Sequence, residues 1–219
     1  MSGSSDADAI EGLLKRWFPE PAFVKAAIIG DHPLLPQEQE RIARAVQRRR
    51  EEFATGRWLC RQGLRGFGLP DQPIGVGRLL NPLFPETVTG TISHDGEICA
   101  VALVRRSDLA GKGIGIDLMS LRQRAGRMAK LERMFVTHPG ELAVMASFGV
   151  AVEPGMLLFS LKEAAIKAMS HLLRDFIDMR EVEVARDGTL ALRFGGRTID
   201  AELMAGVAGG YLVTGARTR

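Results

Sequence analysis

The sequence predicts a fold that combines α-helices with antiparallel β-strands. Apolar residues recur at helical spacing between positions 10 and 18, and again along a helix that begins near Met156. The run from Glu97 to Val104 is apolar on both faces, which indicates a buried central strand. Near the carboxyl end, alternating runs flank Asp187-Gly188, a dipeptide typical of hairpin turns. The tail is therefore expected to form a meander over residues 181–186, 189–194, 197–204 and 211–214.

The composition is that of a cytoplasmic globular protein. With 219 residues and 46% hydrophobic content, the chain can bury a core as one larger domain or as two small halves. Its apolar runs fall short of the roughly 20 residues of a membrane span, and no signal-peptide core follows Met1. Cys60 and Cys99 lie far apart without metal-ligand spacing, so we expect two buried free thiols.

The first half of the chain alternates helix and strand signals. Met1 to Ala9 is small and polar and predicts a frayed start before a short amphipathic helix that ends ahead of Pro19. Phe23 to Gly30 predicts a strand, and Gln37 to about Leu69 has helical composition. The following Gly- and Pro-rich loop ends at Pro85, and a loop of this length in a compact domain is often functional.

Arginines are concentrated between Arg41 and Arg65, although the net charge is only +3. Such a segment suits nucleic acid or the phosphates of a small ligand. The stacking aromatics of a single-strand binder are missing, which favours the small phosphorylated ligand and no nucleic acid. Arg49 and Arg57 lie eight residues apart, so on one helix they point the same way at about 12 Å. A solvated basic face and a site for a triphosphate-sized anion both remain open.

Two strands carry polar residues of chemical interest. Ser93 and His94 precede the central strand and point to opposite faces, so they suit separate contacts to an anion better than a catalytic pair. In the strand from Gly113 to Met119, Asp117 lies on the face opposite the aliphatic one, and Gly115 is expected to leave room for a ligand there. This carboxylate either faces water or binds a cation. The strand lacks the dinucleotide and P-loop patterns.

The helix after Met156 combines an apolar stripe with three charges. Lys162 falls on the stripe, so its ammonium must reach solvent or an anion at the edge of a cleft. Glu163 and Lys167 are one turn apart, and the simplest interpretation is a surface ion pair of about 0.3–0.5 kcal/mol. A functional pair on that face is the alternative. Thr137 is a possible cap for a preceding helix that runs to Phe148.

Five motifs, taken in order, resemble the signature of Sfp-type 4′-phosphopantetheinyl transferases. Within that family, the resemblance is strongest to the group that contains enterobactin synthase component D. The similarity covers roughly residues 41–170. The motifs are Arg49-x-x-Glu52-Phe53-x-x-Gly56-Arg57, Pro82-Leu83-Phe84-Pro85, Ser93-His94, Gly115-Ile116-Asp117 and Phe159-Ser160-x-Lys162-Glu163-x-x-x-Lys167.

This resemblance implies a fold and a reaction. The fold is α+β, with two halves related by a pseudo-twofold axis: residues 1–112 on the 3′-phosphate and adenine side, and residues 113–219 on the metal and catalytic side. Coenzyme A is the substrate in the cleft between them, and Mg²⁺ is the cofactor. A serine of an apo acyl-carrier or peptidyl-carrier protein attacks the pantetheine-side phosphate, and adenosine 3′,5′-bisphosphate leaves. Such an enzyme serves siderophore or other secondary metabolite biosynthesis, and we expect a monomer.

The resemblance also implies a role for each matched residue. Arg49, Arg57 and His94 hold the 3′-phosphate with help from Ser93, and Arg78 reaches the nucleotide. Asp117 and Glu163 ligate Mg²⁺. Lys162 positions and neutralises the pyrophosphate, and Lys167 stabilises or protonates the leaving group. Glu163 is also a candidate acceptor of the serine proton, directly or through a metal-bound water.

Met119 departs from the family pattern, which usually has a second acid two residues after the aspartate. Because Mg²⁺ prefers six oxygen ligands and commonly keeps waters, a water can fill the vacancy at some loss of metal affinity. A noncatalytic coenzyme A or carrier-protein binding module with the same fold is the alternative.

Overall fold

The fold is described from a computed structural model that covers residues 2–124, 128–173, 175–184, 190–194 and 197–219. The helices are Ser2–Trp17 (α1), Pro36–Ile42 (α2), Gln47–Gly66 (α3), Arg106–Leu109 (α4), Leu121–Arg124 (α5), Gly140–Ala146 (α6) and Pro154–Met169 (α7). Short 3₁₀ helices span Met128–Lys130, Glu132–Met134 and Met179–Glu181.

The strands are Phe23–Ile28 (β1), Gly75–Val76 (β2), Pro82–Leu83 (β3), Val88–Asp95 (β4), Ile98–Arg105 (β5), Ile114–Ser120 (β6), Val182–Val184 (β7), Leu190–Phe194 (β8), Arg197–Ala208 (β9) and Tyr211–Thr218 (β10). They form antiparallel sheets in the orders β1-β5-β4 and β6-β10-β9-β8-β7, and β2 pairs with β3. This arrangement confirms the α+β class and the strands of the predicted meander. The predicted turn at Asp187-Gly188 lies outside the described residues.

Three helices cover the two larger sheets. Helix α3 packs on the first sheet through residues such as Leu59 and Leu64. Helix α7 packs on the second sheet through residues such as Leu161 and Ala165. Helix α1 contributes to a core with residues of both sheets, and this core joins the two halves of the chain.

Two helix boundaries differ from the sequence prediction. Helix α1 begins at Ser2, so the expected fraying up to Ala9 is wrong, because Ala7 is buried and the turn at Gly209 packs closely against Asp6. The predicted helix from residue 37 to 69 is split into α2 and α3. The split lets the buried Glu38 carboxylate bind Arg61, with an Nη1–Oε2 distance of 2.5 Å.

Side chains join the edges of the two sheets. On β4, Thr91, Ser93 and Asp95 are two residues apart and share a face. Their oxygens accept hydrogen bonds from the backbone N–H groups of Ile116, Leu118 and Ser120 on β6, at N–O distances of 3.2, 3.0 and 2.7 Å. This ladder holds β6 beside β4 and brings the Ser93 and Asp117 side chains together.

The expectation about the two cysteines is confirmed. Cys60 and Cys99 are buried free thiols, and burial raises the pKa of the Cys60 thiol to about 12. Among the described residues, no helix has the length and apolar character needed to cross a bilayer.

Candidate active site

Two cavities lie side by side where the β2–β3 hairpin, β4 and α7 meet. The smaller has a volume of about 140 Å³ and is lined by residues of α3 and by His94. The larger, about 430 Å³, is lined by Glu163, Lys167 and a mainly apolar wall. Leu80, Pro82 and Ile92 line both cavities. One cleft is therefore divided by a shared wall into a compartment that contains cations and one that contains a carboxylate and a lysine.

Arg49 and His94 meet in the smaller cavity. The distance from Arg49 Nη1 to His94 Nε2 is 2.9 Å, and Glu52 Oε2 lies 3.3 Å from Arg49 Nη1 and 3.5 Å from His94 Nδ1. Burial lowers the pKa of His94, with the arginine and Lys167 adding to the effect and Glu52 opposing it. A neutral imidazole accepts the Arg49 hydrogen bond, and Glu52 keeps the two side chains together.

Arg57 lies on the same side of α3, as its spacing from Arg49 predicts. Its guanidinium stacks on the Phe53 ring at 4.1 Å and donates to the carbonyls of Ile74 and Gly75 at 2.8 and 3.3 Å. Because the residue is only 6% exposed, burial lowers the pKa of this guanidinium. These contacts fix a cation at the wall of the smaller cavity, where an anionic ligand would offset the cost of its burial.

Asp117 is the centre of a buried polar cluster. Its Oδ1 lies 2.6 Å from Lys167 Nζ and 3.0 Å from Ser93 Oγ. Its Oδ2 accepts a hydrogen bond from Ser160 Oγ at 2.8 Å. The carboxylate is 7% exposed, and its partner Lys167 lines the larger cavity.

Glu163 precedes Lys167 by one turn of α7. Burial raises the pKa of its carboxyl, the Asp117 charge adds to the rise, and Lys167 opposes it. A cation between these carboxylates would relieve that penalty, and carboxylate oxygens are the ligands that Mg²⁺ prefers. In the described part of the chain, no cluster of three or more acidic, histidine or cysteine side chains has metal-binding geometry. The two carboxylates that the resemblance assigns to Mg²⁺, Asp117 and Glu163, are thus not part of such a cluster.

Arg78 lies at the mouth of the larger cavity. Its Nη2 is 3.2 Å from Asp175 Oδ2, and both side chains are largely exposed. Arg78 is on the loop between β2 and β3, and Asp175 follows α7, so this ion pair crosses the cleft.

Models of known families match both halves of the chain. The 4′-phosphopantetheinyl transferase N-terminal domain matches residues 37–104, and the 4′-phosphopantetheinyl transferase superfamily matches residues 113–214. The protein is 34% identical to the 4′-phosphopantetheinyl transferase Svp of Streptomyces mobaraensis, across 87% of this chain and 81% of that one.

The chain belongs to the 4′-phosphopantetheinyl transferase family. It is also 28% identical to PptT of Mycobacterium tuberculosis over 68% of this chain and 64% of the relative. Its identity to enterobactin synthase component D of Escherichia coli O157:H7 is 34% over 57% of this chain and 56% of that protein. The resemblance inferred from the five motifs is thereby confirmed.

Ser93 is not among the residues that line the smaller cavity, although the resemblance groups it with Arg49 and His94. The Ser93 side chain is 3% exposed, and its hydroxyl donates to Asp117 while accepting from Leu118 N–H and Lys167 Nζ. A serine hydroxyl has one proton and two lone pairs, so these contacts use its full capacity. The expectation that its hydroxyl contacts the 3′-phosphate is not supported, because alternation along β4 turns Ser93 to Asp117 and His94 to Arg49.

Lys162 is likewise directed away from the cleft. It is fully buried, with Nζ 2.9 Å from Glu141 Oε1 and 2.7 Å from the Phe135 carbonyl oxygen. Its position on the apolar stripe was predicted correctly, but the anion it meets is an internal carboxylate. Burial lowers the pKa of this lysine, and Glu141 opposes that shift. A direct contact of Lys162 with a pyrophosphate is incompatible with this arrangement.

Gly115 has a different purpose from the one expected. A Cβ atom at this position would lie 1.9 Å from the carbonyl oxygen of Ala164. The absence of a side chain at Gly115 therefore permits close packing of α7 on β6, and this packing leaves no space for a ligand. This close approach brings Ser160 and Lys167 within reach of Asp117.

Met119 shares the α7-facing side of β6 with Asp117, as strand alternation predicts. It is 3% exposed and packs in the core that contains the apolar face of α7. The position of the usual second acid is thus filled by an apolar side chain.

Sequence reasoning gave no role to three polar residues of this site. Glu52 and Ser160 lie within recognised motifs, and their spacing along α3 and α7 was a usable signal. Thr214, which contacts Ser160 at 2.8 Å between the hydroxyl oxygens, lies on the last strand. Thr214 lies beside Asp117 because β10 pairs with β6, and the sequence around Thr214 contains no motif that predicts this pairing.

Proposed function

We propose that the protein transfers the 4′-phosphopantetheine moiety of coenzyme A to a serine of an apo acyl-carrier or peptidyl-carrier protein. Adenosine 3′,5′-bisphosphate is the second product. The observation that carries this proposal is the pair of adjoining cavities, one with arginines and a histidine and the other with Glu163 and Lys167. An elongated ligand with a phosphate at one end and a reactive pyrophosphate further along requires such a division. Family membership supplies the reaction class.

The smaller cavity binds the 3′-phosphate in this proposal. Arg57 is held rigidly by two carbonyls and a ring, and Arg49 is oriented by Glu52 and His94. Charge-assisted hydrogen bonds from arginine are well suited to phosphate oxygens. In this proposal, residues 1–112 bind the nucleotide end of coenzyme A, and residues 113–219 supply the catalytic groups. Arg78 contacts the nucleotide by leaving its exposed partner Asp175.

Asp117 and Glu163 hold Mg²⁺ in the bound state. When bound, the ion would supply positive charge to offset the negative charge of the pyrophosphate. Lys167 lies beside Asp117 and lines the same cavity as Glu163, so its ammonium stabilises the leaving phosphate or donates a proton to it. The raised pKa of Glu163 suits it to accept the serine proton. Lys162 acts at a distance by fixing α7 through Glu141.

A noncatalytic module that binds coenzyme A or a carrier protein is the second candidate, and Met119 is the observation that favours it. Such a module needs the arginine compartment but not the carboxylates. It predicts saturable coenzyme A binding with no transfer, and binding that is unchanged in Glu163→Gln.

The intact mass of a carrier protein tests the proposal. Purified protein, coenzyme A and Mg²⁺ are incubated with a panel of apo acyl-carrier and peptidyl-carrier proteins, with EDTA and a carrier Ser→Ala variant as controls. We expect a carrier mass increase equal to one phosphopantetheine, which is lost in both controls. If the protein binds coenzyme A but no carrier of the panel gains mass, the binding module remains as the function.

A further inference from the structure

A chain of two hydroxyl groups lies behind Asp117, on the side away from Ser93. Ser160 Oγ is 2.8 Å from Asp117 Oδ2 and 2.8 Å from Thr214 Oγ1, and Thr214 Oγ1 is 3.0 Å from the Ser160 carbonyl oxygen. Both residues are fully buried. Thr214 is the cross-strand partner of Asp117 in the pairing of β10 with β6. The three side chains therefore form one group enclosed by α7, β6 and β10.

The protons of this group have a defined direction. An ionised carboxylate can only accept hydrogen bonds, so the single Ser160 hydroxyl proton is directed to Asp117. Thr214 must then be the donor in its contacts with Ser160, either to the hydroxyl oxygen or to the carbonyl oxygen. Thr214 thus supports a serine whose proton points at the carboxylate.

Burial alone does not require this arrangement. A serine inside a helix can satisfy its hydroxyl by donating to the carbonyl four residues earlier, which for Ser160 belongs to Met156. Ser160 instead donates across to β6. Helical spacing along α7 relates Ser160 to Glu163 and Lys167. Ser160 donates to the Asp117 carboxylate, near which Glu163 and Lys167 also lie.

Hydroxyl donors orient a carboxylate without cancelling its charge. Ser93 and Ser160 each donate to a different oxygen of Asp117, one from β4 and one from α7. Asp117 also pairs with an ammonium, at 2.6 Å from Lys167 Nζ, as Glu141 does at 2.9 Å from Lys162 Nζ. The two pairs differ in exposure: Lys162 and Glu141 are fully buried, whereas Lys167 is partly exposed, so the Asp117 pair is the more accessible one.

We infer that Ser160 and Thr214 are positioning residues, which hold the Asp117 carboxylate in the orientation that binds the divalent cation. The inference rests on the proposed function, since it assigns the cation to Asp117 and Glu163. Groups that orient metal ligands typically contribute about 10- to 100-fold to metal affinity or activity. Loss of the Thr214 hydroxyl frees the Ser160 proton to turn to its own helix, and Asp117 Oδ2 then loses its hydroxyl donor.

Manganese binding tests this inference without relying on turnover. Free Mn²⁺ is measured by electron paramagnetic resonance in titrations of the complete protein with coenzyme A present. The variants are Thr214→Val, Ser160→Ala and the conservative Thr214→Ser. Thr218→Val is the matched control, because Thr218 is a buried hydroxyl on the same strand that accepts from Gly113 N–H at 2.7 Å. Thermal denaturation of each variant reports whether it is folded.

The expected result is a loss of Mn²⁺ affinity of about 10- to 100-fold in Thr214→Val and Ser160→Ala. Thr214→Ser should remain close to the parent, and Thr218→Val should lose thermal stability but bind Mn²⁺ normally. Unchanged affinity in a folded Thr214→Val, or an equal loss in Thr218→Val, would overturn the inference while leaving the proposed function intact. A parent protein that binds no Mn²⁺ would instead overturn the assignment of the cation, and the inference with it.

Discussion

The two faces of helix α7 put similar charges to opposite uses. On the core face, Lys162 is fully buried and paired with Glu141, which also accepts backbone hydrogen bonds from Thr137 and Val184. On the cleft face, Lys167 lines the larger cavity and is partly exposed, and it pairs with the nearly buried Asp117. A charge that is enclosed by its own partners can only stabilise the fold. A charge that remains open to a cavity is available to a ligand.

The largest expected effect is on the cleft face. Glu163→Gln removes a metal ligand and a candidate proton acceptor, and we expect the transfer rate to fall by about 10²- to 10⁴-fold. Because burial raises the pKa of Glu163, the neutral amide should not lower the stability of the protein. Carrier mass spectra give the rate, and thermal denaturation in EDTA gives the stability. A near-normal rate in this variant would remove Glu163 from the catalytic site.

Lys162→Met tests the core face of α7, where we expect a loss of stability rather than of transfer rate. It leaves the Glu141 carboxylate buried without its cation, which costs about 3–5 kcal/mol of unfolding free energy. The transfer rate per folded molecule should change far less than in Glu163→Gln. Urea denaturation measures the first quantity. The double variant Lys162→Met/Glu141→Gln should recover part of the loss, whereas Lys167→Met on the other face should cost little stability.

Arg57→Gln extends the comparison to the smaller cavity. Loss of a charged hydrogen-bond donor to a phosphate costs about 1.5–3 kcal/mol, or roughly 10- to 100-fold in the Kd of coenzyme A. The affinity for dephospho-coenzyme A, which lacks the 3′-phosphate, should change much less. Arg65→Gln is the control on the same helix, since Arg65 pairs with Asp71 at the surface. Equal losses for both ligands would contradict the assignment of Arg57 to the 3′-phosphate.

The smallest expected effect is a pH dependence due to His94. Its pKa is lowered from the ordinary value of 6.5, mainly by burial. As the pH falls below 6.5, this histidine takes up a proton in the unfolded chain before it does so in the folded protein. The free energy of unfolding therefore decreases as the pH falls. The ligand-free protein should lose thermal stability more steeply between pH 7 and about pH 5 than His94→Gln does. Identical pH profiles would show that His94 titrates normally.

Sequence reasoning predicted the elements of the fold and the main groups of the site, because both depend on local patterns. Alternation placed Asp117 and Met119 on one face of β6, and helical spacing placed Arg49 with Arg57. The errors arose where partners come from distant segments. Lys162 finds Glu141, Ser93 finds Asp117, and Gly115 accommodates Ala164, and each of these pairings depends on how α7 and β4 dock against β6.

The central claim is that catalysis belongs to the cleft face of α7 and stability to its core face. The most direct test is the rate of phosphopantetheine transfer to one carrier protein, measured side by side by intact mass for Glu163→Gln and Lys162→Met and divided by the folded fraction of each. We expect a loss of at least about 100-fold for Glu163→Gln and a rate within a few-fold of the parent for Lys162→Met. Equal losses in the two variants, or the larger loss in Lys162→Met, would contradict it.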